Sequence, residues 1–352
     1  MDNGLINGMN VFGSSGQRWS TTFEAGKTYR LRFVNAAVDS FFAVSIDNHV
    51  MQVISTDFVP ITPYNTTTIH MGIGQRYDVL VTANQASTAD AFWLRAVPDS
   101  YCSNNANPDN IMGIIRYANA NSSSPSTADP TTSAQAGGLE SNNCFGESNA
   151  NIVPAVSKTV APSLSILTED MEFRPNSEGL QRWYLDGSTF FQPWETPTAL
   201  QLVNGQQTFN SSQNVVVAST EGSGAWHYLV IETVETFAHP IHLHGHDFFV
   251  LAKGSGTYLT ASPISMLSNP PRRDTEMLPA LGWLLIAFQS DNPGACTFTL
   301  PLLPLDFSYP SHLPHISPSF PPALPHISYP LLYPHISPPF PPSLTITQQD
   351  LN

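Results

Sequence analysis

The sequence predicts an all-β fold of antiparallel sandwiches, because apolar and polar residues alternate with a period of two along short segments. The segment 29–33 alternates apolar residues with two arginines, and Tyr77, Val79 and Val81 repeat the pattern. Glycine, proline and asparagine turns separate these segments, and no apolar stripe of helical period competes with them. The 352 residues are enough for two domains with hydrophobic cores.

The chain divides into two strand-rich segments joined by a polar one. Residues 1–118 carry the first set of predicted strands, and residues 119–150 form a linker rich in serine, asparagine and glycine. Strands return over residues 151–295. The strands predicted in this second segment cover residues 214–218, 228–234, 248–253 and 283–289.

The C-terminal segment, residues 296–352, differs from the rest in its proline content. Residues 297–352 hold 14 of the 31 prolines and only two charged residues, and Pro-His-Ile-Ser occurs there three times. We expect no sheet in it and interpret it as a disordered, polyproline-like tail. Disordered tails are usually polar, whereas this one is rich in Leu, Ile, Phe and Tyr. Translated non-coding sequence is therefore the origin that we favour.

The charge and composition exclude two classes of partner. The net charge of -14, with 13 Lys+Arg against 27 Asp+Glu, argues against nucleic acid, whose phosphates need basic patches. No apolar run is long enough to span a membrane, and the polar first residues lack the apolar core of a signal peptide. An acidic chain with lysine only at 27, 158 and 253 fits a secreted protein that works in acid surroundings.

Four of the 11 histidines fall in one segment, His239-Pro240-Ile241-His242-Leu243-His244-Gly245-His246. Alternate residues of a strand share a face, so we expect His242, His244 and His246 on one side and His239 elsewhere. One strand could then serve two metal centres. Imidazole suits copper and zinc equally, so the ligand type leaves the metal open.

The histidine segment has the form HPxHLHGH and resembles one of the four copper-ligand motifs of laccase-type multicopper oxidases. Gly74-Gln75-Arg76-Tyr77-Asp78 resembles a recurring segment of the middle cupredoxin domain of these enzymes. The sequence after the histidines is also similar to ascomycete fungal laccases, over residues 269–275, 277–279, 282–288 and 291–295. The resemblance spans roughly residues 1–295.

The resemblance implies cupredoxin-like Greek-key β-sandwiches: a complete middle domain over 1–118 and a third domain over 151–295 that lacks its closing strands. It also implies copper ligands, with His239 at the type 1 copper, His242 at the type 2 copper and His244 at one copper of the type 3 pair. No residue of the chain is assigned a direct catalytic role.

The same resemblance suggests further residues. Asp57 and Asp39 are both candidates for the acidic residue beside a phenolic substrate, and Cys102 and Cys144 are expected to form a disulfide. The remaining polar residues near these segments are expected to be structural, namely His49, His70, His227, His246, Arg272, Arg273 and Asp274.

The implied function is oxidation of phenolic substrates by dioxygen, which is reduced to water. The chain contains no His-Trp-His-Gly, His-Ser-His or His-Cys-His segment, so the alternative is an inactive fragment with at most weak copper binding. A cupin-like zinc module built on His242 and His244 is a third possibility, but no glutamate ligand follows them before Glu276.

The family resemblance implies an extracellular protein. Three N-glycosylation sequons, at Asn65, Asn121 and Asn210, agree with a secretory route. We expect that the secretion signal and the first cupredoxin domain of such enzymes were lost together.

Overall fold

The chain forms two β-sandwiches in a computed structural model. The structure describes residues 1–118, 129–134, 143–163, 166–191, 193–206, 208–217, 224–259, 264, 267–292, 295–300, 303–308 and 343–350. The all-β, cupredoxin-like fold expected from the sequence is confirmed.

The N-terminal segment has twelve described strands, of which ten form the first sandwich together with one strand from the C-terminal end. Its strands are β1 Leu5–Ile6, β2 Val11–Phe12, β3 Ser15–Gly16, β4 Ser20–Glu24, β5 Thr28–Asn35, β6 Phe42–Ile46, β7 Met51–Thr56, β8 Val59–Thr66, β9 Thr68–Met71, β10 Arg76–Thr82, β11 Ala91–Pro98 and β12 Met112–Ala118. One sheet has the order β1-β24-β5-β10-β7-β8, where β24 is Ser343–Asp350, and the other has the order β4-β12-β11-β6-β9. Strands β2 and β3 form a separate hairpin.

The core of the first sandwich follows the alternation seen in the sequence. In β5 Leu31 and Phe33 are buried and meet Val79 of β10, whereas Arg30 and Arg32 lie on the outer face. Phe92 of β11 closes the core from the facing sheet. Burial of such side chains contributes about 1.5–3 kcal/mol each and drives the two sheets together.

The second sandwich has the same two-layer plan. Its strands are β13 Ile166–Pro175, β14 Gln181–Leu185, β15 Val216–Val217, β16 Trp226–Thr233, β17 His239–Leu243, β18 Phe248–Ser255, β19 Arg272–Arg273, β20 Thr275–Leu278, β21 Gly282–Gln289, β22 Ala295–Leu300 and β23 Leu303–Ser308. One sheet has the order β14-β13-β16-β21-β18-β19 and the other β15-β23-β22-β17-β20. The helices are α1 Thr198–Val203 and two 3-10 turns, Pro108–Asn110 and Ser211–Gln213.

The strands predicted at 228–234, 248–253 and 283–289 correspond to β16, β18 and β21 to within two residues. Strand β16 is buried on both faces. Leu229 and Ile231 enter the core between the sheets, whereas Tyr228 and Val230 belong to a second apolar cluster on the outer side. Val160 packs into that outer cluster, so the chain entering the second sandwich covers its sheet.

The expectation of a disordered tail over 296–352 is wrong for three segments. Residues 296–300 complete β22, residues 303–308 form β23, and residues 343–350 form β24 between β1 and β5. The physical reason is that prolines, which interrupt sheets, are absent from β22 and β24 and occur once in β23. The prediction for residues 309–342 lies outside the described residues.

Part of the predicted linker packs on the first sandwich. The Thr132 hydroxyl donates to Asp47 at 2.8 Å, and Glu147 accepts hydrogen bonds from the Tyr64 hydroxyl at 2.9 Å and from the His70 amide at 2.8 Å. Cys144 is fully buried. The linker residues 119–128 and 135–142 lie outside the described part, and the domain boundaries at 118, 150 and 295 stay predictions.

A buried ion cluster joins the two sandwiches. Arg273 has no exposed surface, and its Nε donates to Asp57 Oδ2 of the first sandwich at 2.8 Å. Its Nη1 also lies 3.4 Å from Glu276 Oε2, and Lys253 Nζ is 2.9 Å from Glu276 Oε1. Burial opposes ionisation of Glu276, but the two cations hold its pKa below the ordinary value. Arg273, which we expected to be structural, therefore lies in a charge cluster that bridges the sandwiches.

We predict that Arg273→Met destabilises the protein strongly, because it leaves the carboxylates of Asp57 and Glu276 buried without their shared cation. Removing one partner of a buried pair costs about 3–5 kcal/mol. Arg272→Met is the matched control, since Arg272 lies 3.5 Å from Asp247, whose side chain is 47% exposed. Such exposed pairs contribute at most about 1 kcal/mol. Urea unfolding measures both free energies, and equal losses would contradict the assignment.

Candidate metal centre

The histidine segment lies on β17, which is held between two strands. β17 pairs with β20 over residues 239–242, with His239 opposite Leu278 and His242 opposite Thr275. On the other side β22 pairs only with His242 and Leu243. Pro240 is tolerated in this inner strand because it lies where β22 does not pair.

His239 is mostly buried and faces aromatic side chains. Its ring makes edge contacts with Trp183 at 4.5 Å and Phe237 at 4.7 Å between centroids. Among the described residues, its Nε2 is a buried atom without a hydrogen-bond partner. Burial lowers the pKa of His239 to about 4, so the imidazole is neutral at ordinary pH. A buried, neutral and unpartnered nitrogen fits a metal ligand.

A cavity of about 170 Å³ opens beside His239 at the junction of the sandwiches. Residues of both sandwiches and the disulfide line it, namely Val38, Asp39, Phe41, Ile73, Cys102, Phe173, Trp183, Phe237, Ala238, His239 and Met277. The indole nitrogen of Trp183 is a second buried polar atom without a partner among the described residues. The cavity thus offers aromatic walls and a few polar atoms, which suits an aromatic ligand.

His242 and His244 lie together. Their ring centroids are 4.8 Å apart with an interplanar angle of 62°. His242 Nδ1 donates to the backbone carbonyl oxygen of Asp274 at 2.6 Å, which leaves Nε2 available. His242 is half-buried and His244 is exposed. Two neighbouring imidazoles of this kind fit a shared metal or two adjacent metals.

The expectation that His246 shares the face of His242 and His244 is wrong. β17 ends at Leu243, and a turn through Gly245, with φ of 75°, redirects the chain. His246 is buried, its Nε2 lies 3.7 Å from Asp291, and its ring packs edge-on against Phe288. These contacts agree with the structural role expected for His246.

The two candidate acids have different surroundings. Asp39 lines the cavity with His239, and partial burial raises the pKa of its carboxyl. Asp57 as a substrate contact stays a prediction, and its side chain has no exposed surface. Its carboxylate accepts hydrogen bonds from Arg273 and from the Arg76 amide. The charge of Asp57 is therefore paired with Arg273 at the junction between the sandwiches.

The expected disulfide is confirmed. Cys102 and Cys144 are bonded, with 6.3 Å between their Cα atoms. Cys144 packs with Phe41, Ala238 and Met277 in an apolar cluster behind the cavity. The disulfide thus ties the linker to the wall of the His239 cavity. Of the other expected structural histidines, His49 lies 2.7 Å from the Tyr117 hydroxyl inside the first core.

Sequence reasoning missed the aromatic walls of the cavity. Phe173 of β13 and Trp183 of β14 pack against each other at a tilt, with 4.7 Å between their centroids and an interplanar angle of 39°. Phe237 lies two residues before His239, and this spacing is the only feature of the sequence that would have placed it in the cavity. Among the described residues no group of three or more His, Cys, Asp or Glu side chains could hold a metal ion.

Comparisons with known proteins agree with this geometry. Two sequence profiles described as multicopper oxidase match residues 1–120 and 184–299. Laccase-1 of Botryotinia fuckeliana is 44% identical over 293 residues, 83% of this chain and 50% of that protein. Laccase-3 of the same fungus is 40% identical over 316 residues, 84% of this chain and 66% of that protein. The crystal structure of the laccase from Botrytis aclada has a TM-score of 0.76 at 36% identity and covers 85% of this chain and 57% of that one.

The fold and the histidine strand define a multicopper oxidase. The chain belongs to this family and is of the fungal laccase type, and the family implies copper as the cofactor. It spans about half the length of several curated relatives that it matches. In the described part of the chain, no helix has the length and apolar character needed to cross a membrane.

Strand β13, which carries the cavity residue Phe173, also carries Glu169, an acid with a raised pKa. Burial and the neighbouring Asp186 carboxylate raise the pKa of Glu169 on β13 to about 8, from 4.5. The folded protein therefore holds a proton there that the unfolded chain releases above about pH 4.5. Stability should then fall as the pH rises from about 4.5 to about 8, because the folded pKa of this acid is raised.

We predict that Glu169→Gln removes this part of the pH dependence and raises the melting temperature near pH 8 but not near pH 4.5. Glu172→Gln is the control, since Glu172 lies on the same strand with its side chain 44% exposed. Thermal unfolding followed at several pH values measures the slope. An unchanged slope in Glu169→Gln would show that Glu169 does not carry the proton.

Proposed function

We propose that this chain serves the laccase reaction, the oxidation of phenolic substrates coupled to the reduction of dioxygen to water. The observation that carries the proposal is the buried, unpartnered Nε2 of His239 beside a cavity with aromatic walls. The similarity to fungal laccases supports the same reaction.

The proposed ligands follow the strand geometry. His239 would hold a type 1 copper on the cavity side of β17, while His242 would hold the type 2 copper and His244 one copper of the type 3 pair. Bound copper supplies one-electron oxidation of the phenol and reduction of dioxygen. The protein fixes the imidazoles on one short strand, which keeps the two sides of the reaction at a constant separation.

Asp39 would receive the phenolic proton. Loss of one electron from a phenol makes its hydroxyl strongly acidic, so a proton must leave as the phenoxyl radical forms. The Asp39 carboxylate lines the cavity, and burial raises its pKa, which makes it a better proton acceptor than an ordinary aspartate. Trp183, Phe173 and Phe237 would hold the phenol ring by stacking and edge contacts.

The second candidate is an inactive chain with at most weak copper binding. The absence of a group of three metal ligands among the described residues favours it. An oxygen electrode distinguishes the two candidates. Oxygen uptake by the copper-loaded chain with a methoxylated phenol supports oxidation, whereas phenol and copper binding without uptake supports the alternative.

We also propose that the protein is extracellular. The disulfide Cys102–Cys144 fits an oxidising compartment. Asn65 of the first sequon is exposed on β8, an edge strand, where a glycan has room. The proposed partners are phenolic small molecules and dioxygen, with neither nucleic acid nor membrane as a partner, in agreement with the acidic net charge.

We predict that Asp39→Asn weakens binding of 2,6-dimethoxyphenol about tenfold, as expected for loss of a hydrogen bond to a charged group. Asp109→Asn, at an exposed 3-10 turn, is the matched control. Titration of the copper-free protein followed by ligand NMR measures the affinity. Equal affinities in the two variants would place the phenol elsewhere.

We predict that His242→Ala combined with His244→Ala abolishes the tighter phase of copper(II) binding, because two neighbouring imidazoles bind one ion better than scattered histidines do. Calorimetric titration measures this phase. The control is His49→Gln, whose imidazole lies in the first core. A double variant that binds copper like the parent chain would remove these residues from the proposed site.

A further inference from the structure

The backbone carbonyl of Asp274 orients the ring of His242. A carbonyl oxygen can only accept, so the 2.6 Å contact between His242 Nδ1 and the Asp274 oxygen requires a proton on Nδ1. In the neutral ring the lone pair is then on Nε2. Thr275 Oγ1 lies 3.2 Å from the same Nδ1 and donates to Asp274 Oδ1 at 3.0 Å. The tautomer of His242 is thus set by the position of residues 274 and 275.

The position of Asp274 is set from the other sandwich. Arg76 of β10 donates to both carboxylate oxygens of Asp274, Nη1 to Oδ1 and Nη2 to Oδ2, each at 2.5 Å. Arg76 Nη1 also donates to the Gly74 carbonyl at 2.9 Å. Two parallel bonds fix the carboxylate in angle as well as distance. A residue 198 positions away in the sequence therefore holds the peptide that orients His242.

A strained phenylalanine covers this ion pair. Asp57 and Phe58 form the two-residue turn between β7 and β8, with φ of 45° and 66°. Positive φ is unfavourable for a bulky residue, and glycine is preferred in such turns. The Phe58 side chain is 75% exposed, so it adds little to a core. The Arg76 guanidinium nevertheless lies over its ring, 4.6 Å from the centroid.

The Phe58 ring covers one face of the Arg76 guanidinium. The Arg76 and Asp274 side chains are only 16% and 19% exposed. A ring over the guanidinium keeps water from competing for the two hydrogen bonds and adds a cation–π contact. A glycine in this turn would relieve the strain but remove the cover.

We propose that Arg76 is a positioning residue for the copper ligand His242, acting through Asp274, and that Phe58 protects this contact. The proposal rests on the proposed copper function of His242. It makes a separate claim about the copper-free protein, namely that Arg76 fixes the tautomer of His242. Residues that hold the second nitrogen of a ligating histidine commonly change metal affinity by about 10–100-fold.

The test compares Arg76→Lys, Phe58→Gly and a control. Arg95→Lys is the matched control, because Arg95 makes a similar two-point contact to Asp47 with a side chain 17% exposed in the same sandwich. In the copper-free protein, nitrogen-15 NMR at one fixed pH for all variants reports the His242 tautomer. We expect a single Nδ1–H form in the parent chain and in Arg95→Lys, and a mixture in Arg76→Lys and Phe58→Gly.

Copper(II) titration is the second measurement, and thermal unfolding is the third. We expect the affinity to fall about tenfold in Arg76→Lys, and to fall in Phe58→Gly although its melting temperature stays equal or rises. A purely structural role would lower stability in Arg76→Lys and Arg95→Lys alike and leave the tautomer unchanged, and that result would overturn the proposal.

The two proposals can fail separately. If the parent chain and the His242→Ala, His244→Ala double variant bind copper equally, the copper function fails, and the tautomer alone then decides the role of Arg76. If copper binds at these histidines but the tautomer is the same in Arg76→Lys as in the parent chain, the positioning role fails and the copper function stands.

Discussion

The contact on which the rest of the structure depends is the ion pair between Arg273 and Asp57 at the junction of the two sandwiches. Neither side chain has any exposed surface, and the pair joins residues 216 positions apart. Such a pair contributes little net stability compared with an apolar replacement, because both charges lose their hydration. An uncompensated charge in this place would be costly, so other arrangements of the two sandwiches are disfavoured.

The junction between the sandwiches positions the residues around the histidine strand as well as the two domains. Gln75 Nε2 donates to the Thr275 carbonyl at 3.3 Å, and a side chain on Gly72 would collide with Met277, 2.3 Å from its sulfur. These close contacts bring the first sandwich against β20, the partner strand of β17. The His239 cavity and the Arg76–Asp274 pair both lie along this seam. A substitution at the junction would therefore alter the surroundings of both His239 and His242.

Much of this could be read from the sequence, because the signals are local. The period of two predicted β5 and β10, and the HPxHLHGH segment located β17 and the side-by-side pair His242 and His244. The features that the sequence did not predict depend on the tertiary structure. The end of β17 at Leu243 and the burial of Asp57 follow from pairing and packing across the junction. The prediction for β22 and β23 was wrong for another reason. It used the average proline content of the C-terminal segment, whereas residues 295–300 have no proline and residues 303–308 have one.

Strand β17 carries both sides of the proposed reaction. His239 points to an aromatic cavity formed where the sandwiches meet, and His242 points to a peptide that Arg76 of the first sandwich holds. His239 and His242 are three positions apart in the sequence, which places them on opposite faces of a strand. β20 pairs with residues 239–242, so the backbone that carries both imidazoles is held in the sheet. The proposed substrate side and copper-cluster side thus share one strand, with His239 packed against Trp183 and Phe237 of its own sandwich and His242 held through Asp274 by Arg76 of the other.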